Sequence, residues 1–75
     1  MKYLINQKLH WTNKRVLIVG TKDESYKPTS DTFNRTEIKP TKDYLIFILD
    51  KITDGVCNYS GLVDIYENEI ENIEW

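Results

Sequence analysis

The sequence predicts a mainly β protein: one small antiparallel barrel or curled sheet of about five strands, with a short helical turn near the C-terminus. Three stretches predict it. Tyr44 to Asp50, Tyr-Leu-Ile-Phe-Ile-Leu-Asp, is the longest apolar run in the 75 residues. It is rich in β-branched and aromatic side chains and too short for a helix, so it reads as a mid-sheet strand buried on both faces. Asp54-Gly55 follows, a pair favoured in two-residue hairpin loops, where both positions need positive φ. Arg15 to Val19, Arg-Val-Leu-Ile-Val, is a second strand, ended by Gly20.

The chain opens on a short apolar stretch, Tyr3-Leu4-Ile5. Lys8 to Trp11 alternates polar and apolar residues as a half-buried strand does, and Thr12-Asn13-Lys14 is a turn, since asparagine tolerates left-handed backbone angles. These strands are expected to pair as a hairpin. Residues 21–43 change character: from Thr21 to Lys42 stand five threonines, two serines and both prolines, and only Tyr26, Phe33 and Ile38 are large and apolar. A polar stretch of this length reads as a functional loop rather than core. Within it, Thr36-Glu37-Ile38 suggests an edge strand and Ser30 to Arg35 one helical turn. Lys42-Asp43 and Asp50-Lys51 put charge at both ends of the central strand, which keeps an aggregation-prone segment from continuing. After Asp54-Gly55, a return strand through Val56 and Tyr59 is expected to pair with Ile52 and Asp50, and Ser60-Gly61 allows a kink. The tail has two readings. Leu62 to Glu67 alternates as a strand, to be followed by a helical turn through Ile70 and Ile73. Alternatively, Leu62, Ile65, Tyr66, Ile70 and Ile73 form one helical stripe with Ser60 as its cap.

Strand hairpin, long polar loop, central strand, tight hairpin, then a short strand with a helical turn: this order resembles the Src-homology-3-like small barrel. The resemblance rests on Arg15 to Gly20, Tyr44 to Asp50, Asp54-Gly55 and Val63 to Ile70. It implies a binding module whose ligand contacts come from the long loop and the hairpin tip. The acidic cluster and aromatic pair of the family's proline-peptide binders have no counterpart between Thr21 and Lys42.

Composition narrows the function. With 40% apolar and 29% charged residues the chain is globular and fits one domain, residues 1–75. A domain of this size buries only about 60% of its unfolded surface, which leaves little room for a large cleft. Cys57 is the sole cysteine and His10 the sole histidine. No internal disulfide or zinc set follows from them, and a reducing, cytoplasmic setting is expected. The N-terminus carries no signal-peptide core and no run approaches a membrane span, so no membrane association is expected. Val19 to Glu24 resembles the guanine-reading Thr-Lys-x-Asp of GTPases, but Glu24 stands where aspartate should, and no glycine-rich phosphate loop accompanies it. No nucleophile, base and orienter can be named together. The sequence therefore predicts no catalytic residue, no cofactor and no metal; Glu67, Glu69 and Glu71 suit a solvated acidic face better than a cation site.

Charge is segregated. Residues 1–22 hold Lys2, Lys8, Lys14, Arg15 and Lys22 with no acid; residues 52–75 hold Asp54, Asp64, Glu67, Glu69, Glu71 and Glu74 with no base. Either the two ends neutralise each other on neighbouring strands, or the molecule is dipolar with an acidic face that steers a basic partner. The favoured expectation is a protein-interaction module that binds a protein partner through the long loop and the acidic C-terminal segment, at Tyr26, Phe33, Tyr59, Glu67, Glu69 and Glu71. The alternative is a small-barrel nucleic-acid binder using Lys8, Trp11, Lys14, Arg15 and Lys22, against which the net charge of −2 argues. A homodimer through an open strand edge, with Trp75 in the contact, is a further expectation.

Overall fold

The computed structural model describes residues 2–28 and 37–75. Five strands, β1 (Lys8–Trp11), β2 (Lys14–Thr21), β3 (Tyr44–Thr53), β4 (Val56–Ile65) and β5 (Ile70–Glu71), form one antiparallel sheet. Their order is β4-β3-β2-β1-β5, and a 3-10 turn at Glu67–Glu69 precedes β5. The sheet is open, with β4 and β5 as its edges.

The turns follow from local chemistry. Thr12 and Asn13 have φ of 46° and 64°, and Asp54 and Gly55 have 52° and 78°. Positive φ at both central residues gives each two-residue hairpin the twist its strands require. Gly20 does not end the second strand: β2 runs on to Thr21 with a register shift between Ile18 and Gly20, a bulge centred on Val19. A Cβ on Gly20 would lie 3.2 Å from Leu45 Cδ1 and 3.3 Å from Tyr26 Cβ, so the absent side chain lets the loop close onto the sheet. Gly61, at φ 71°, sits where the β3–β4 register shifts. The kink expected there is a bulge inside one continuous strand, and Leu62 to Ile65 is the end of β4 rather than a separate element.

The tail is not a helix. β4 ends at Ile65, the 3-10 turn takes Glu67–Glu69, and Ile70–Glu71 is extended beside β1. The helical turn therefore falls ahead of Ile70 and does not run through Ile70 and Ile73. The physical reason is pairing: as strands, Ile65 meets Tyr44, and Ile70 meets Trp11. This buries both isoleucines, at 1% and 8% exposure, worth about 1.5–3 kcal/mol for each full side chain.

Alternation sorts the side chains. Leu9, Val16, Ile18, Tyr44, Ile46, Ile65 and Ile70 share one face with Tyr3 and make the core, with Trp11, Ile48 and Val63 packed against it. Leu45 and Leu49 of β3, on the opposite face, are also buried, so the central run is covered on both sides at these positions. Of the 21–43 stretch, Tyr26 and Ile38 form a two-way backbone bridge, the only trace of the expected edge strand among the described residues. Ser30 to Arg35, Phe33 and Thr36 lie outside the described residues.

Candidate functional site

The outer sheet face, opposite the core, holds the candidate site. Phe47 is at its centre. Tyr26, carried back by the loop, meets the Phe47 ring edge-on with centroids 5.3 Å apart, and Tyr59 of β4 stacks on it at 6.1 Å. All three are half-buried. The register extends the patch: Phe47 pairs with Leu62, Leu49 with Tyr59 and Ile52 with Cys57, which aligns these residues along one face of the β3–β4 ribbon. Ile52 and Leu62 are 49% and 37% exposed. Burial, then the neighbouring Cys57 thiol, push the Tyr59 hydroxyl above its ordinary pKa.

Tyr26 and Tyr59, two of the predicted partner-binding residues, thus come together on Phe47, a residue the sequence reading assigned only to the core. Strand alternation was the available signal: Phe47 differs in parity from Ile46 and Ile48. The glutamates are elsewhere and hold the fold together. Glu67 Oε1 accepts the Tyr44 hydroxyl at 2.7 Å and the Lys2 N–H at 3.2 Å. The Tyr44 bond and then the Lys2 N–H hold the Glu67 carboxyl below the ordinary range. Glu69 Oε2 accepts the Tyr66 N–H at 2.7 Å and closes the 3-10 turn, and Glu71 Oε2 accepts the Asn13 N–H at 3.4 Å. Two further carboxylates are tied in the same way. Asp43 accepts the Glu67 N–H at 2.8 Å and meets Lys22 Nζ at 3.1 Å, and both interactions, the N–H first, lower its pKa. Asp64 accepts the Thr41 and Lys42 N–H groups at 2.6 and 2.9 Å; burial opposes its ionisation, but the Thr41 and Lys42 hydrogen bonds win and its pKa is lowered.

The basic residues divide. Lys8 and Arg15 lie on the outer face over the Trp75 ring, 5.1 and 5.9 Å from its centroid, while the indole N–H donates to the Val16 carbonyl at 2.9 Å. Trp75 therefore packs on its own sheet. Lys14 stands over Trp11 on the core face, and Lys22 is engaged by Asp43. The five predicted nucleic-acid-binding residues do not share one surface. The basic and acidic ends of the chain do lie side by side, with His10 opposite Glu71, yet the ion pairs among the described residues are only Lys22–Asp43 and Lys27–Glu37.

Among the described residues no three His, Cys, Asp or Glu side chains gather as a metal site, and no helix is long and apolar enough to cross a membrane. The chain matches no protein-family model, no curated protein and no solved structure.

Proposed function

We propose that the chain is a small non-catalytic protein-interaction module whose docking surface is the outer face of the β3–β4 ribbon, with Tyr26 supplied by the loop. The observation that carries the reading is the Tyr26–Phe47–Tyr59 cluster. Half-buried aromatics that brace one another lose little freedom on binding, which is why such anchors dominate interface energetics. Ile52 and Leu62 extend the cluster into an apolar stripe. The strand order supports the resemblance to Src-homology-3-like barrels: a four-strand meander, a 3-10 turn, then a last strand beside the first. A lone thiol and the absence of other cysteines in the sequence fit a cytoplasmic setting.

A second reading has one observation behind it. Lys8 and Arg15 flank Trp75 on the same face, and cation-flanked aromatics suit stacking by single-stranded nucleic acid. One experiment tests both readings: capture from lysate by the tagged chain, with and without nuclease, comparing the native protein with Tyr59→Ser and Lys8→Gln/Arg15→Gln. Proteins that survive nuclease and are lost with Tyr59→Ser support the docking stripe. Recovery that vanishes with nuclease and with the Lys8/Arg15 changes supports the nucleic-acid reading and overturns the first.

A further inference from the structure

Two adjoining cavities of about 260 and 220 Å³ lie between the N-terminal segment and the start of the long loop. They share Ile5 and Glu24, so they form one groove. Tyr3, Ile5, Val19 and Tyr26 give it an apolar wall, Asp23, Glu24 and Lys27 add charged groups, and Leu4 stands on its rim 71% exposed. Each half is smaller than the roughly 300–1,000 Å³ of a small-molecule pocket, a size that suits single side chains of a peptide.

The rim chemistry selects the side chain. The backbone N–H groups of Asp23 and Glu24 both donate to Thr21 Oγ1, at 3.2 and 3.0 Å, and the Thr21 N–H returns to the Glu24 carbonyl at 2.8 Å. The turn is thereby fixed, while the two carboxylates themselves make no hydrogen bond or ion pair with the described residues. Asp43, Asp64, Glu67, Glu69 and Glu71, by contrast, are all tied to the fold. Two of the loop lysines have carboxylate partners, Lys22 with Asp43 at 3.1 Å and Lys27 with Glu37 at 3.7 Å, and Lys2 stacks on the Tyr3 ring at 5.4 Å. Among the described residues the groove thus keeps two carboxylates without an ion-pair partner beside its apolar wall. A lysine or arginine side chain matches this, since its methylene stem buries while its charged head stays at the rim.

We infer that this groove receives a lysine or arginine side chain from an extended segment of the protein partner, entering beside Tyr26. The inference rests on the interaction-module reading and specifies the partner's chemistry. It is tested by titrating the ¹⁵N-labelled full chain with a capped pentapeptide of alternating leucine and arginine, and with the same peptide carrying citrulline, arginine's neutral isostere. The expected result is amide shifts at Ile5, Asn6 and Thr21 to Tyr26, with binding about fivefold to tenfold weaker for citrulline and for Asp23→Asn/Glu24→Gln. That variant removes no contact of the described fold, so it stays folded. Equal binding of the citrulline peptide overturns the inference, as does the absence of shifts at the groove. Shifts confined to Tyr59 and Leu62 also overturn the groove while leaving the docking stripe standing. Failure of the docking reading itself is seen separately, as capture from lysate that is indifferent to Tyr59→Ser.

Discussion

Tyr44→Phe tests how the two ends of the chain are joined. The Tyr44 hydroxyl, fully buried, accepts the Tyr3 N–H at 3.0 Å and donates to Glu67 at 2.7 Å, so one oxygen links the N-terminal segment, β3 and the 3-10 turn. Phenylalanine keeps the ring and its edge-on contact with Tyr3, 5.7 Å between centroids, and removes only the oxygen. The buried Tyr3 N–H is then left unpaired, which costs about 1–3 kcal/mol. Glu67 keeps the Lys2 N–H and water, so its loss adds less. A total of about 2 kcal/mol is expected, roughly half of the ~3–5 kcal/mol a core of this size supplies. At about 4–8 °C per kcal/mol, the melting temperature falls by about 8–16 °C. The assay is urea unfolding at pH 7 followed by Trp11 and Trp75 fluorescence, on the native chain, Tyr44→Phe, Glu67→Ala and the double variant. The two single losses are expected not to add, because they break one shared bond. A change under about 0.5 kcal/mol for Tyr44→Phe, or strict additivity, refutes the linkage; the first of these is the usual scale of an inconsequential surface change.

Three further outcomes follow from particular contacts. The carboxyls of Asp43, Asp64 and Glu67 all have folded pKa values depressed below 3.8, 3.8 and 4.5, so the stability they confer is present above those values and lost as pH falls through the folded ones. Acid titration at fixed urea is expected to show that loss, and Asp64→Asn to make it shallower; an unchanged acid limb in the variant would contradict the assignment. Gly20→Ala and Gly61→Ala are expected to destabilise for different reasons, the first by crowding Leu45 and Tyr26 at about 1–3 kcal/mol and the second by backbone strain alone at about 1 kcal/mol. Urea unfolding gives both values, and only Gly20→Ala should also shift the Tyr26 ring signals by NMR. Trp75→Leu removes the indole bond to Val16 and two cation contacts, each worth about 0.5–1 kcal/mol when exposed. The midpoint is expected to fall, and high salt to narrow the difference from the native chain; no change in midpoint would mean that Trp75 only rests on the sheet.

Local chemistry was legible in the chain; distant pairing was not. Tyr44 to Asp50 announced a central strand because six apolar residues in a row fit only a strand covered on both faces, and Asp54-Gly55 announced its turn because so few residue pairs accept two positive φ angles. The segregated charge leaves two readings open, neutralisation on neighbouring strands or a dipolar molecule; the ends do meet, with β1 beside β5, but not through ion pairs among the described residues. Five of the acidic side chains, Glu67 among them, turn out to accept backbone N–H groups, and Lys8 and Arg15 lie on an indole ring. The β-branched Val63 and Ile65 favour a strand over a helix after Leu62, and the strand is what forms, but the sequence places the helical turn too late, at Ile70 and Ile73 rather than Glu67–Glu69. Leu62, Ile65, Tyr66, Ile70 and Ile73 also keep helical spacing, and pairing with Tyr44 and Trp11 across the sheet decided for strands.

The β class, both hairpin turns and the strand at the centre could be read from the chain, since each depends on residues adjacent in it. That Tyr26, Phe47 and Tyr59 meet on one face, and that the Asp23 and Glu24 carboxylates have no partner among the described residues beside a groove, followed from long-range packing. A bulge at Val19, room left by Gly20 and a loop returning from residue 21 set those positions. Their geometry depends on which surfaces bury each other across the fold, and no local pattern in the chain records that.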